Sequence, residues 1–93
     1  MLIREIIEAT GGTLLSGNMN DDVRGFTQDT RQIHQGDMYI PLVGEKNDGH
    51  QFIRQAFEAG ASAVITAHPI EDDTHNVILV KDTLQALTDM AAY

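Results

Sequence analysis

Two short clusters in this 93-residue chain hold the residue types that bind small polar ligands. The first is Gln28-Asp29-Thr30-Arg31. The second is Gly44-Glu45-Lys46-Asn47-Asp48-Gly49-His50. Thr30 offers one donor and two acceptor lone pairs. Arg31 offers a planar, permanently charged fork that matches phosphate or carboxylate. Lys46 adds a point charge, and Gly44 and Gly49 let backbone approach a ligand closely. Asp48 or His50 begins a predicted helix, whose unpaired N–H groups and dipole favour an anion. The chemistry these types can do is to hold an anionic small molecule. An ordinary reading stands beside it: Asp29 caps a turn while Arg31 pairs with Asp29 or Asp37, and Asp48 caps a helix.

Other chemistries find less support. The chain has no cysteine, which excludes disulfides, thiolate metal sites and a cysteine nucleophile. It has neither the GxxxxGK[ST] phosphate loop nor a GxGxxG turn. His34, His50, His68 and His75 match no metal-ligand spacing, so no metal is expected. Asp21-Asp22 and Asp72-Asp73 fall in predicted turns. No nucleophile–base pair and no paired catalytic carboxylates stand out, so no catalytic residue is expected. Fourteen acidic against six basic residues, a formal net charge of -8, argue against nucleic acid as a partner. No apolar run approaches the roughly 20 residues of a membrane span. The start, MLIREIIEATGG, lacks a signal-peptide layout, so a cytoplasmic location is expected.

The elements that must position the two clusters follow from periodicity. LIREIIEA places Ile3, Ile6 and Ile7 at helical spacing, and Gly11-Gly12 ends that helix. TLLSG reads as a short strand and NMNDD as a turn. VRGFTQ alternates as a strand does, with Gly25 a candidate bulge. Residues 38–43, MYIPLV, read as a buried strand, although Pro41 has no N–H to give a ladder. HQFIRQAFEAG reads as an amphipathic helix with Phe52, Ile53, Ala56 and Phe57 on one face and Gly60 as its stop. SAVITA and VILV are apolar throughout, as parallel strands covered on both faces are. DTLQALTDMAAY reads as a helix capped by Asp82, with Leu84, Leu87, Met90 and Ala91 inward. The alternation predicts one α/β domain: a small, mixed, largely parallel sheet flanked by helices and joined by right-handed crossovers. Both polar clusters then leave strand ends, where open α/β sheets bind ligands.

The ordered set of Asp29-Thr30-Arg31, Gly36-Asp37, the apolar run 38–43, Gly44, Asp48-Gly49 and Gly60-Ala61 resembles the N-terminal domain of Mur ligases, which build the peptidoglycan precursor. Within that family, Asp-Thr-Arg and Asp-Gly-His-x-Phe look most like the branch that joins D-alanyl-D-alanine to UDP-N-acetylmuramoyl-tripeptide. The tripeptide-forming branch and a freestanding nucleotide- or anion-binding module are the alternatives. The resemblance implies that residues 1–93 are the UDP-substrate-binding N-terminal domain, inactive alone. The central ATP-binding and C-terminal domains would lie outside this chain. ATP and Mg²⁺ would serve the full-length enzyme, which activates the substrate carboxylate as an acyl-phosphate for attack by the D-alanyl-D-alanine amine. No cofactor is implied in this domain. Carried over by position, Gln28, Thr30, Arg31, Gly44, Glu45, Lys46 and Asn47 become contacts to the UDP moiety of a UDP-linked muramoyl-peptide. Asp29, Asp48, Gly49 and His50 become loop-shaping residues.

Overall fold

Alternating apolar strands build the centre of the molecule. The computed structural model describes residues 1–44 and 48–93. Five strands, β1 (Thr13–Ser16), β2 (Phe26–Thr27), β3 (Met38–Tyr39), β4 (Ala63–Thr66) and β5 (Asn76–Leu79), form one sheet in the order β1-β5-β4-β3-β2. Strands β2 to β5 are parallel, and β1 pairs antiparallel with β5 at the edge. The expected mixed, largely parallel sheet is what forms.

Both faces of this sheet are covered. Met38, Ile40, Ala63, Ile65, Ile78 and Val80 point to one face, where α1 (Ile3–Thr10) contributes Ile3 and Ile6, and α3 (Thr83–Ala92) contributes Ala86 and Met90. Tyr39, Val64 and Val77 point to the other, against Ile53 and Ala56 of α2 (Ile53–Glu58). The two-residue period of a strand sends neighbours to opposite layers. That is why β4, AVIT, is buried at every position. Each fully buried Ile or Val adds about 1.5–3 kcal/mol relative to an exposed one.

Local chemistry fixes the helix ends. Glu5 accepts the Leu2 N–H at 2.7 Å at the start of α1. Gly11 closes α1 in the left-handed conformation (φ 71°), with its N–H donating to Ile7 O. Asp82 caps α3 by accepting from the N–H groups of Leu84 and Gln85.

Four expectations need correction. The run 38–43 is not one strand. Its ladder stops at Tyr39, Ile40 and Pro41 stay buried, and Val43 is 66% exposed. Pro41 cannot extend the ladder. The segment predicted as one helix from His50 starts instead as a 3₁₀ turn, Gly49–Phe52, and becomes α-helical at Ile53. Phe52, Ile53, Ala56 and Phe57 do pack on one cluster, the two phenylalanines half-buried against it. Gly25 is no bulge but lies just before β2, while the irregular register falls in β1 between Leu14 and Ser16. Met90 and the partly buried Leu87 face the core as expected, joined by Thr83 and Ala86, whereas Leu84 (60% exposed) and Ala91 face out. The polar Thr83 takes an inward position at the start of that helix, which rotates Leu84 to the outside.

Candidate functional site

The carboxyl ends of β2 and β3 open into a cleft of about 900 Å³. Its wall runs through Phe26 and Thr27, then Gln28, Asp29, Thr30 and Arg31, with Tyr39, Ile40 and Phe52 behind. The whole first cluster therefore lies on one concavity. Gln28 and Arg31 are exposed and Thr30 is half-buried. A polar rim over aromatic side chains suits a ligand with a flat apolar part and an anionic part.

A chain of local hydrogen bonds shapes the rim. The Thr27 hydroxyl accepts from Asp29 N–H at 3.1 Å, turning the chain as β2 ends. Asp29 caps the 3₁₀ turn Thr30–Gln32 by accepting Arg31 N–H at 2.9 Å. The Arg31 Nε and Nη2 groups then donate to the two oxygens of the same carboxylate, each at 3.0 Å. Those bonds hold the Asp29 carboxyl below its ordinary range and raise the Arg31 guanidinium. The pairing of Arg31 with Asp29, rather than Asp37, is thus real. Asp37 is buried and accepts the His34 N–H instead. The Arg31 side chain remains 87% exposed, and Nη1 has no partner among the described residues. Such a surface pair exchanges readily for a better anion.

The second cluster is assembled differently. Glu45, Lys46 and Asn47, named above as UDP contacts, lie outside the described residues. Gly44 is exposed, and Gly44, Asp48, Gly49 and His50 are off the cleft wall. At the loop's base Val43 bridges Asp48, and Gly49 N–H donates to Leu42 O at 2.9 Å. A Cβ on Gly49 would sit 2.9 Å from Leu42 N and 3.0 Å from Pro41 Cα, both immovable backbone. Asp48 accepts the His50 N–H at 2.9 Å as the cap of the 3₁₀ turn. That bond, then the His50 ring, lowers the Asp48 carboxyl.

Tyr39 connects the two clusters, and the sequence reading did not single it out. Its ring is buried on the cleft side, and its hydroxyl donates to Gly49 O at 2.9 Å. Burial raises the Tyr39 hydroxyl, and the Asp29 and Asp48 carboxylates add to that. The signal was available, because an aromatic residue in a strand beside the triplet must face one layer or the other. Phe26, exposed at 41%, and Phe52 were likewise visible as aromatics but not as walls.

Asp48, His50 and His68 bring ligand-type atoms within 4.8 Å of one another. Hydrogen bonding already uses His50 on both sides. Nε2 accepts the Ala67 N–H at 2.9 Å, so the neutral ring carries its proton on Nδ1, which donates to Asp48 at 2.6 Å. Binding a cation through Nδ1 would move that proton to Nε2 and set it against the Ala67 N–H. Asp48 and His50 form a hydrogen-bonded brace, with the His68 ring edge-on beside it.

The family model described as Mur ligase family, catalytic domain, matches residues 22–93. The chain belongs to the Mur ligase family. It is 44% identical over 92 residues to the UDP-N-acetylmuramoyl-tripeptide–D-alanyl-D-alanine ligase of Bacillus subtilis, covering 96% of this chain and 20% of that relative. A UDP-N-acetylmuramoyl-L-alanyl-D-glutamate–2,6-diaminopimelate ligase of Lactiplantibacillus plantarum is 39% identical over a shorter 70 residues, 75% of this chain and 14% of that relative. MurF of Acinetobacter baumannii superposes with a TM-score of 0.88 at 28% identity, over 99% of this chain and 20% of that one. The chain is thus a MurF-like Mur ligase domain and spans 14–20% of the length of these relatives. No helix among the described residues is long and apolar enough to cross a membrane.

Proposed function

We propose that this domain anchors the UDP end of UDP-N-acetylmuramoyl-tripeptide for a ligase that adds D-alanyl-D-alanine. The observation that carries the reading is the cleft itself, in which Gln28, Thr30 and Arg31 line one rim above Phe26, Tyr39 and Phe52. An aromatic wall takes a pyrimidine face, and a guanidinium with Thr30 beside it takes a diphosphate. Similarity to the D-alanyl-D-alanine-adding relatives narrows the substrate to a UDP-muramoyl-peptide. Binding energy from such a remote handle holds a substrate whose reacting carboxyl lies elsewhere.

ATP and Mg²⁺ do not fit these residues. The sequence has no phosphate loop, Asp29 is held by Arg31, and His50 is held by Asp48 and Ala67. No step through either is assigned to this chain, and no residue in it is catalytic. Amide formation in the cytoplasm, with the gain in cell-wall precursor that follows, belongs to the proposed whole enzyme.

Titration of the protein with UDP-N-acetylmuramoyl-tripeptide, UDP and ADP, followed by amide chemical shifts, tests the reading. The UDP ligands should shift Thr27 to Arg31 and Tyr39, and ADP should not. Equal shifts with ADP, or UDP-induced shifts confined to other surfaces, would overturn it.

A further inference from the structure

The His50 side chain is 9% exposed, yet it does not line the cleft. It sits on the 3₁₀ turn Gly49–Phe52, which does two things for that cleft. Phe52, at the end of the turn, forms part of the wall, and Gly49 O receives the hydroxyl of Tyr39, which forms another part. The turn is short, and its own internal bonds are few. The Tyr39 hydroxyl ties it to β3, and the His50 ring ties it to the end of β4. Nε2 accepts the N–H of Ala67, the first residue after β4, while Nδ1–H donates to Asp48 at the turn's cap. His68 stands edge-on to the same ring, with centroids 4.8 Å apart, and limits its tilt. One imidazole in one tautomer thus spans a turn and a strand end that are 17 residues apart in sequence.

We propose that His50 is a positioning residue for the nucleotide site: through the Ala67 bond it fixes the turn that presents Phe52 and holds Tyr39. This rests on the UDP reading of the cleft. His50 contacts no ligand. It makes the aromatic wall rigid before the ligand arrives, so that less freedom is lost on binding.

The two bonds can be separated. Asn places an amide N–H near where Nδ1–H stood, and Gln places a carbonyl oxygen near where Nε2 stood. His50→Gln keeps the acceptor for Ala67 and should leave the Kd for UDP-N-acetylmuramoyl-tripeptide within about twofold of wild type. His50→Asn and His50→Ala lose it and should weaken binding about five- to tenfold, as loss of one net hydrogen bond does. If Asn restores binding as well as Gln, or if a folded Ala variant binds like wild type, the proposal is wrong. Wild-type protein gives a second arm that needs no variant. Coupling is reciprocal, so saturating ligand must slow hydrogen exchange at the Ala67 amide if that bond supports binding. Unchanged exchange at Ala67 under saturation would sink the proposal while leaving the UDP site intact. Failure of the wild-type protein to bind any UDP ligand would remove the site and this inference with it.

Discussion

The two polar clusters use the same residue chemistry for opposite ends. At Asp29 and Arg31 an acid and a base satisfy each other on the surface, with the base 87% exposed. At Asp48 and His50 an acid and an imidazole are locked to backbone, to Ala67 on one side and to the cap of a turn on the other. The first arrangement can trade its internal bonds for a ligand at small cost. The second cannot, because breaking it leaves a backbone N–H without a partner. Burial of the basic partner, 87% exposed at Arg31 and 9% at His50, separates the gripping loop from the supporting one.

Substitutions can break or sharpen that contrast. The largest expected effect is Gly49→Ala, whose Cβ meets Leu42 and Pro41 backbone, with a loss of about 1–3 kcal/mol in denaturant unfolding. Unchanged stability would show that the second loop is not packed as described. Next comes Tyr39→Phe, which strips the hydroxyl from Gly49 O and should cost about 1 kcal/mol. The same variant should weaken UDP binding, because the cleft wall loses its link to the turn. Arg31→Ala should lower the thermal midpoint far less than Gly49→Ala does and raise the Kd for UDP ligands by roughly tenfold, as loss of a charge-assisted contact does. A fall in midpoint matching that of Gly49→Ala would erase the distinction between the two loops.

The smallest effect is in acid. Asp29 is lowered by the Arg31 side chain first, and Asp48 by the His50 N–H first. Burial raises Asp72, but bonds from His75 and Thr74 outweigh it and leave that carboxyl low as well. A folded pKa below the unfolded one gives stability that is present above the unfolded value, about 3.9, and lost as pH falls through the folded value. Stability should therefore hold down to about pH 4 and decline below it. Asp48→Asn should shrink that decline, whereas Arg31→Ala should remove only the side-chain share of the Asp29 part, because the backbone N–H at position 31 still donates to that carboxylate. Unfolding curves between pH 2 and 6, a range set by about two units either side of that carboxylate value, would show it.

The core was legible in sequence because burial on both faces favours a nearly continuous apolar run, as in AVIT, whose one hydroxyl, on Thr66, donates to His68 O. Helix stops were legible at Gly11 and Gly60, both at positive φ. The Asp82 cap was legible for the same local reason. What escaped was long-range. The rotation of α3 escaped because the polar Thr83 lies inward while the apolar Leu84 faces out. Tyr39 looked like one more apolar strand residue until the sheet brought Gly49 over its hydroxyl. The Asp29–Arg31 pair was one of the readings offered by spacing, because two residues apart is within reach of a turn. His50 was placed as a loop-shaping residue, but its grip on Ala67 depends on the course of β4 and has no local signature.

Strands β2 to β5 lie in the sheet in the reverse or forward order of the chain itself, whereas β1 has only β5 for a neighbour. During synthesis from the amino terminus, β1 is made first and its partner last. Thr13 meets Leu79, and near the same end of the molecule Tyr93 reaches back to Glu8 at 2.8 Å. The nascent chain therefore holds an unpaired edge until the final strand emerges, while the parallel pairs can form one after another behind it. Such waiting is the usual cost of non-local strand pairing in vectorial folding. It makes the last strand the latch that seals the first.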